Sequence, residues 1–88
     1  MKHARAEALD RLEPFLAQLR AVEGLTEKSR GVFYRKSKAF LHFHEDPSGE
    51  FADVRLDGVE FERMRATTAT EQQALLRRVR AALSGVVS

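Results

Sequence analysis

Apolar residues change their spacing twice along this chain. Leu9, Leu12, Leu16, Leu19 and Val22 recur at steps of three and four, the stripe of an amphipathic helix. Pro14 falls inside that stripe. It removes one helical hydrogen bond and crowds the preceding turn, so the pattern predicts a kink, a restart, or a main helix that begins at Pro14. Gly24 is a stop signal, and residues 25–30 read as a linker. From Val32 onward the period is two. Residues 32–35, 39–44, 51–56 and 59–64 are predicted strands, with a turn at Lys36-Ser37-Lys38. Asp46-Pro47-Ser48-Gly49 is a type I turn sequence. Asp57-Gly58 carries the signal of a two-residue hairpin. A helical period returns at the end. Thr68 and Glu71 have capping-box spacing, Leu75, Leu76, Val79 and Leu83 share one face, and Gly85 is the expected C′ residue.

The two clear turns predict a register. Around the first, Glu45 faces Glu50, His44 faces Phe51, His42 faces Asp53 and Leu41 faces Val54. Around Asp57-Gly58, Leu56 faces Val59, Val54 faces Phe61 and Arg55 faces Glu60. Alternation then places Leu41, Phe43, Ala52, Val54, Leu56, Val59 and Phe61 on a core face. The other face carries Phe40, His42, His44, Phe51, Asp53, Arg55, Glu60, Glu62 and Met64. Whether Phe33 or Tyr34 joins the core is ambiguous. The expected architecture is an α+β two-layer sandwich, α-β-β-β-β-α, a four-stranded antiparallel meander with both helices on one face and residues 1–88 in a single domain.

Composition narrows the function classes. The 88 residues include no cysteine, which excludes disulfides and thiolate metal sites. No apolar run approaches the length of a membrane span. The polar start, Met1-Lys2-His3-Ala4-Arg5, lacks the apolar stretch of a signal peptide, so the expected location is cytoplasmic. Net charge is +2 with a pI near 9.4, and the charges alternate in sign rather than forming one basic stripe.

The open face holds the candidate chemistry. His42-x-His44 on one strand, with Asp53 and Glu62 beside it, offers ligand types that suit zinc or a similar divalent ion. Carboxylates flanking His42 would raise its pKa. No serine is placed as a partnered nucleophile, and there is neither a phosphate-binding glycine loop nor an HExxH motif, so no catalysis and no cofactor are expected. Arg35, Lys36 and Lys38 at one turn, Arg63 and Arg65, and Arg77, Arg78 and Arg80 on the last helix allow nucleic-acid binding as a third reading. Glu60, Glu62 and Asp53 on the same face oppose it. Phe40, Phe51 and Met64 with a polar rim suggest a contact for a protein partner or a second copy, the reading the sequence favours. A metal or small ligand held at His42, His44 and Asp53, with Arg55, Glu62, Phe40 and Phe51 around it, is the alternative.

The runs Gly31-Val32-Phe33-Tyr34-Arg35, 39–46, and Gly49 with Phe51-Ala52-Asp53-Val54 resemble a small bacterial family of unknown function. It is described as the "luciferase family protein" domain, and in it a His-x-His strand precedes a short turn and a strand bearing Asp. The resemblance spans roughly residues 22–83. This chain is shorter and lacks that domain's tryptophan-bearing strand. The resemblance implies interest in His42, His44 and Asp53 and no luciferase activity. More loosely, the order helix, meander, helix is similar to the MmcQ/YjbR-like family, for which DNA binding has been proposed.

Overall fold

The computed structural model describes residues 2–84, so the expected cap at Gly85 lies outside the described residues. Eight elements follow in order: β1 (Lys2–His3), α1 (Ala6–Arg20), β2 (Leu25–Ser29), β3 (Val32–Arg35), β4 (Lys38–Asp46), β5 (Gly49–Val54), β6 (Glu62–Arg65) and α2 (Ala69–Ser84). The α+β class, the antiparallel sheet and the helix toward each end are as the sequence predicts. The strand number is not. β2 to β6 form a consecutive antiparallel meander, and β1 pairs with β4 beyond the end of β3.

The core is one cluster between the sheet and the helices. α1 supplies Leu12, Phe15, Leu16 and Leu19, and α2 supplies Leu75, Leu76 and Val79. The sheet answers with Phe33, Leu41, Phe43, Ala52 and Val54, and Phe15 meets Phe43 edge to face. Phe33, not Tyr34, is therefore the inward residue of β3. α1 runs unbroken through Pro14, which lies on the solvent side, where the lost bond to Asp10 is open to water. α2 begins with the expected reciprocal cap: the Glu71 N–H donates to Thr68 Oγ1 (3.1 Å), and the Thr68 N–H donates to Glu71 Oε1 (2.9 Å).

Residues 25–29 are a strand rather than a linker. Leu25-Thr26-Glu27-Lys28-Ser29 alternates between two glycines with positive φ, Gly24 and Gly31. It is polar because it is an edge, with only Leu25 packed against the core. Arg20 of α1 grips Glu27, and Glu27 also accepts the Gly31 N–H at 2.9 Å, which ties the strand to the helix and to its own turn.

The two hairpins that share β5 differ. The β4–β5 register is the predicted one, from Leu41↔Val54 through His42↔Asp53 and His44↔Phe51 to Asp46↔Gly49. Asp46 Oδ2 accepts from the Ser48 N–H and hydroxyl, which fixes the turn. Gly49 has φ +143°, and a Cβ there would lie 2.3 Å from Thr67 Oγ1. Only glycine allows that approach, and Thr67 uses it to bond both the N–H and the C=O of Glu50.

The β5–β6 register is one residue away from the prediction. Val54 pairs with Glu62, Asp53 with Arg63, Ala52 with Met64 and Phe51 with Arg65. Asp57 holds the longer loop that goes with the slip. Its carboxylate accepts the N–H groups of Val59 and Glu60 (2.8 and 3.0 Å), so it caps an open loop instead of sitting at the centre of a two-residue turn. A slip of one residue exchanges the faces. Val59 and Phe61, expected in the core, are exposed (75% and 40%), and Leu56 is only partly buried. Met64, expected on the open face, packs against the core.

Phe40 also changes sides. Tyr34 pairs with Ala39 and Phe33 with Leu41, so Phe40 has no partner across β3. This bulge lets two successive residues turn inward, and Phe40 and Leu41 are both buried. The Phe40 carbonyl accepts from the Arg55 N–H at 2.8 Å.

Candidate functional site

His42, His44 and Asp53 stand together on the face away from the helices. β4 places the two histidines two residues apart, and the β4–β5 register sets Asp53 opposite His42. One carboxylate oxygen is the centre of the group. Asp53 Oδ2 lies 3.0 Å from His44 Nε2 and 3.6 Å from His42 Nε2. The three side chains offer one donor atom each, all within 4.8 Å of one another. The His42 and His44 rings meet at 5.0 Å, tilted by 67°.

Arg63 replaces Glu62 in this row. Its Nε and Nη2 donate to Oδ1 and Oδ2 of Asp53 at 2.8 and 3.0 Å. The predicted register would have set Glu62 opposite Asp53; the observed one places a cation there. Glu62 instead rims the helix side and bonds Arg78 of α2. The Arg63 guanidinium, by hydrogen bonds first and charge second, holds the Asp53 carboxyl below its ordinary range.

His42 titrates in the opposite direction from the sequence expectation. Burial is the largest influence and pushes its pKa down, and the neighbouring His44 adds to this. Asp53 opposes both without prevailing, its charge being shared with Arg63. Phe61 closes the other side of His42, with ring centroids 5.2 Å apart. The slipped loop thus supplies an apolar wall to the site. His44 is the most enclosed member. Its side chain is 12% exposed, and neither Nδ1 nor Nε2 makes a hydrogen bond among the described residues, since Nε2 approaches Asp53 without hydrogen-bond geometry. Buried polar atoms in native folds are nearly always paired.

The remaining candidates scatter. Phe40 is buried, and Phe51 is half-covered by Arg65, 5.5 Å from its ring. Arg55 lies over Phe61 at 4.3 Å and lines a separate cavity of ≈ 250 Å³ with Arg35, Lys36, Lys38 and Phe40. With Phe40 and Met64 turned inward, the apolar patch expected for a partner or a second copy does not assemble. One residue of the site escaped the sequence reading. His3 on β1 pairs with His44, and its ring stacks on that of His44 at 4.8 Å. A two-residue strand has no period to betray it; the only trace in the sequence is a third histidine in an otherwise charged start.

No described helix is long and apolar enough to cross a membrane. Neither the protein-family models, nor the curated proteins, nor the solved structures contain a match to this chain, so the resemblances above transfer no residue roles and the site stands on its own geometry.

Proposed function

We propose that this chain is a binding domain for a divalent transition ion of the zinc type, held by His42, His44 and Asp53. The observation that carries this is the convergence of both histidine Nε2 atoms on one oxygen, Asp53 Oδ2, at 3.0 and 3.6 Å, with His44 left without a hydrogen bond. Two donors bound to one tetrahedral zinc ion stand about 3.3 Å apart, a spacing that falls between these two distances. An ion at that point would give His44 Nε2 a directed bond in place of its ill-aligned contact with Asp53. Two imidazoles and one carboxylate favour zinc, cobalt, nickel or copper over magnesium or calcium, which prefer oxygen alone. The lowered pKa of His42 keeps its ring neutral near pH 7, so ligation displaces no proton there. Arg63 orients the carboxylate from outside, the role of an outer-shell partner, although its charge also weakens the pull of Asp53 on a cation. A protein contact through the open face has less support, because two of its three apolar anchors face the core.

Zinc titrated into untagged, chelator-stripped chain at pH 8 should bind at one equivalent. At a hundredfold excess over Kd it should raise Tm by on the order of 10 °C. His42→Ala and His44→Ala should each remove the rise while the metal-free proteins still melt cooperatively. No saturable binding and an unchanged Tm in the wild type would end the proposal.

A further inference from the structure

We infer that His3 is the fourth ligand of this site, so that the ion staples the first strand onto β4. The inference rests on the metal reading above and deepens it. Three rings crowd one patch of the open face, with centroid separations of 4.8 Å (His3–His44), 5.0 Å (His42–His44) and 5.9 Å (His3–His42). Imidazoles on one tetrahedral ion have donor atoms at about 2.1 Å and ring centres roughly 1.1 Å beyond, which sets those centres about 5 Å apart. The His3–His44 and His42–His44 separations match that value; His3–His42 is longer, and the donor atoms that already converge are those of His42, His44 and Asp53, so His3 would have to move toward His42 to complete the set.

The backbone explains why His3 is there. His3 and His44 are direct partners in the β1–β4 ladder, and residues opposite each other across a ladder share a face. The register is pinned along β1 and just after it. Lys2 pairs with Glu45, the Ala4 N–H donates to the Phe43 carbonyl at 3.1 Å, and the Arg5 N–H donates to Glu45 Oε2 at 2.6 Å. β1 buries neither of its own side chains. Its one contribution to this face is the imidazole.

With His42, His44 and Asp53 alone, a tetrahedral ion keeps one position for water. With His3 the set is full, three imidazoles and one carboxylate, the closed arrangement of a structural site. Loading the ion adds a side-chain tie to the backbone bonds that already dock β1, so metal should further protect the β1–β4 backbone bonds from exchange.

The experiment compares wild type, His3→Ala, Lys2→Ala and His42→Ala as untagged chains, using chelator competition for zinc affinity and the visible absorption of bound cobalt for coordination number. His3→Ala should lose at least tenfold in zinc affinity, the lower bound of what removing even an outer-shell partner brings. Its cobalt spectrum should weaken as water replaces nitrogen. Its metal-free Tm should match wild type, and Lys2→Ala should bind as wild type does. In the wild type, zinc should slow exchange of the Ala4 amide, and in His3→Ala it should not. If His42→Ala abolishes binding while His3→Ala keeps wild-type affinity and spectrum, the fourth-ligand inference is wrong and the three-residue site remains. If His42→Ala itself binds as wild type, the metal reading falls and this inference falls with it.

Discussion

The two hairpins built on β5 share a strand and differ in how their turns work. In β4–β5, Asp46 caps a loop whose ends pair directly, and the ladder runs from the turn without a break. In β5–β6, Asp57 makes the same kind of side-chain bond, but to residues two and three positions ahead, and the chain stays open from Arg55 to Phe61 before pairing resumes. Asp followed by Gly serves either geometry: a type I′ hairpin needs the positive φ of both residues, and an Asx turn needs only the carboxylate. What decides between them is the face each register gives the strand beyond. The slipped register puts Met64 against the core and Arg63 opposite Asp53; the tight hairpin would have buried Phe61 and set Glu62 against Asp53. A like-charge pair in a proposed row was the sign, already in the sequence, that the row was wrong.

The largest test of this contrast is in the core. Leu41→Ala, on the inner face of the β4–β5 hairpin, should cost about 2–5 kcal/mol in urea unfolding. Phe61→Ala, across the slipped hairpin, should cost only about 1 kcal/mol, since that ring covers Arg55 and His42 at the surface. Equal losses would mean that Phe61 is a core residue and that the tight register is right. Next comes Asp53→Asn. It removes the charge that receives Arg63 and faces both histidines, and it should cost about 1.5–3 kcal/mol. Smaller but sharper in sign is Glu62→Gln. Opposite Asp53 it would relieve repulsion and raise Tm; beside Arg78, where it lies, it should leave Tm unchanged or lower it.

A pH profile gives the smallest of these effects. His42 has a folded pKa below its unfolded value, so its contribution is full above about pH 6.5 and is lost as pH falls from there toward the folded pKa. The Asp53 carboxyl, also lowered, holds its contribution above its unfolded pKa and loses it as pH falls through the folded one. The Asp53 window lies below about pH 4, so between pH 8 and pH 5 the change belongs to His42, and metal-free protein should melt higher at pH 8 than at pH 5. His42→Gln should flatten that slope and leave the fall below about pH 4, which Asp53 shares with the other carboxyls held below their ordinary range, Glu13, Glu27, Asp46, Asp57 and Glu71. A Tm that rises as pH falls from 8 to 6 would mean that the carboxylate outweighs burial at His42.

Long elements with a clear period were legible in the sequence: both helices, the capping box, and the β4–β5 register that brings His42, His44 and Asp53 together. What was hidden had physical reasons. β2 is an edge strand whose only apolar anchor is Leu25, so its composition resembles a loop. Phe40 lies at a bulge, where alternation fails for one step. β1 is too short for any periodic signal, and its histidine is recognisable only through its pairing with His44. The face of Phe61 depended on which of two turns Asp57 would make, and Asp-Gly serves both; the packing of Met64 against the core and the pairing of Arg63 with Asp53 separate them.

Metal binding at Nε2 of His42 and His44 is observed directly by nitrogen NMR of the histidine rings. In ¹⁵N-labelled, metal-free chain at pH 8, one equivalent of zinc should shift the Nε2 resonances of His42 and His44 together, leave the proton on Nδ1 of each, and stop changing beyond that equivalent. Ring nitrogens of His42 and His44 that do not respond to zinc, or that respond only at large excess and on Nδ1, would contradict the account.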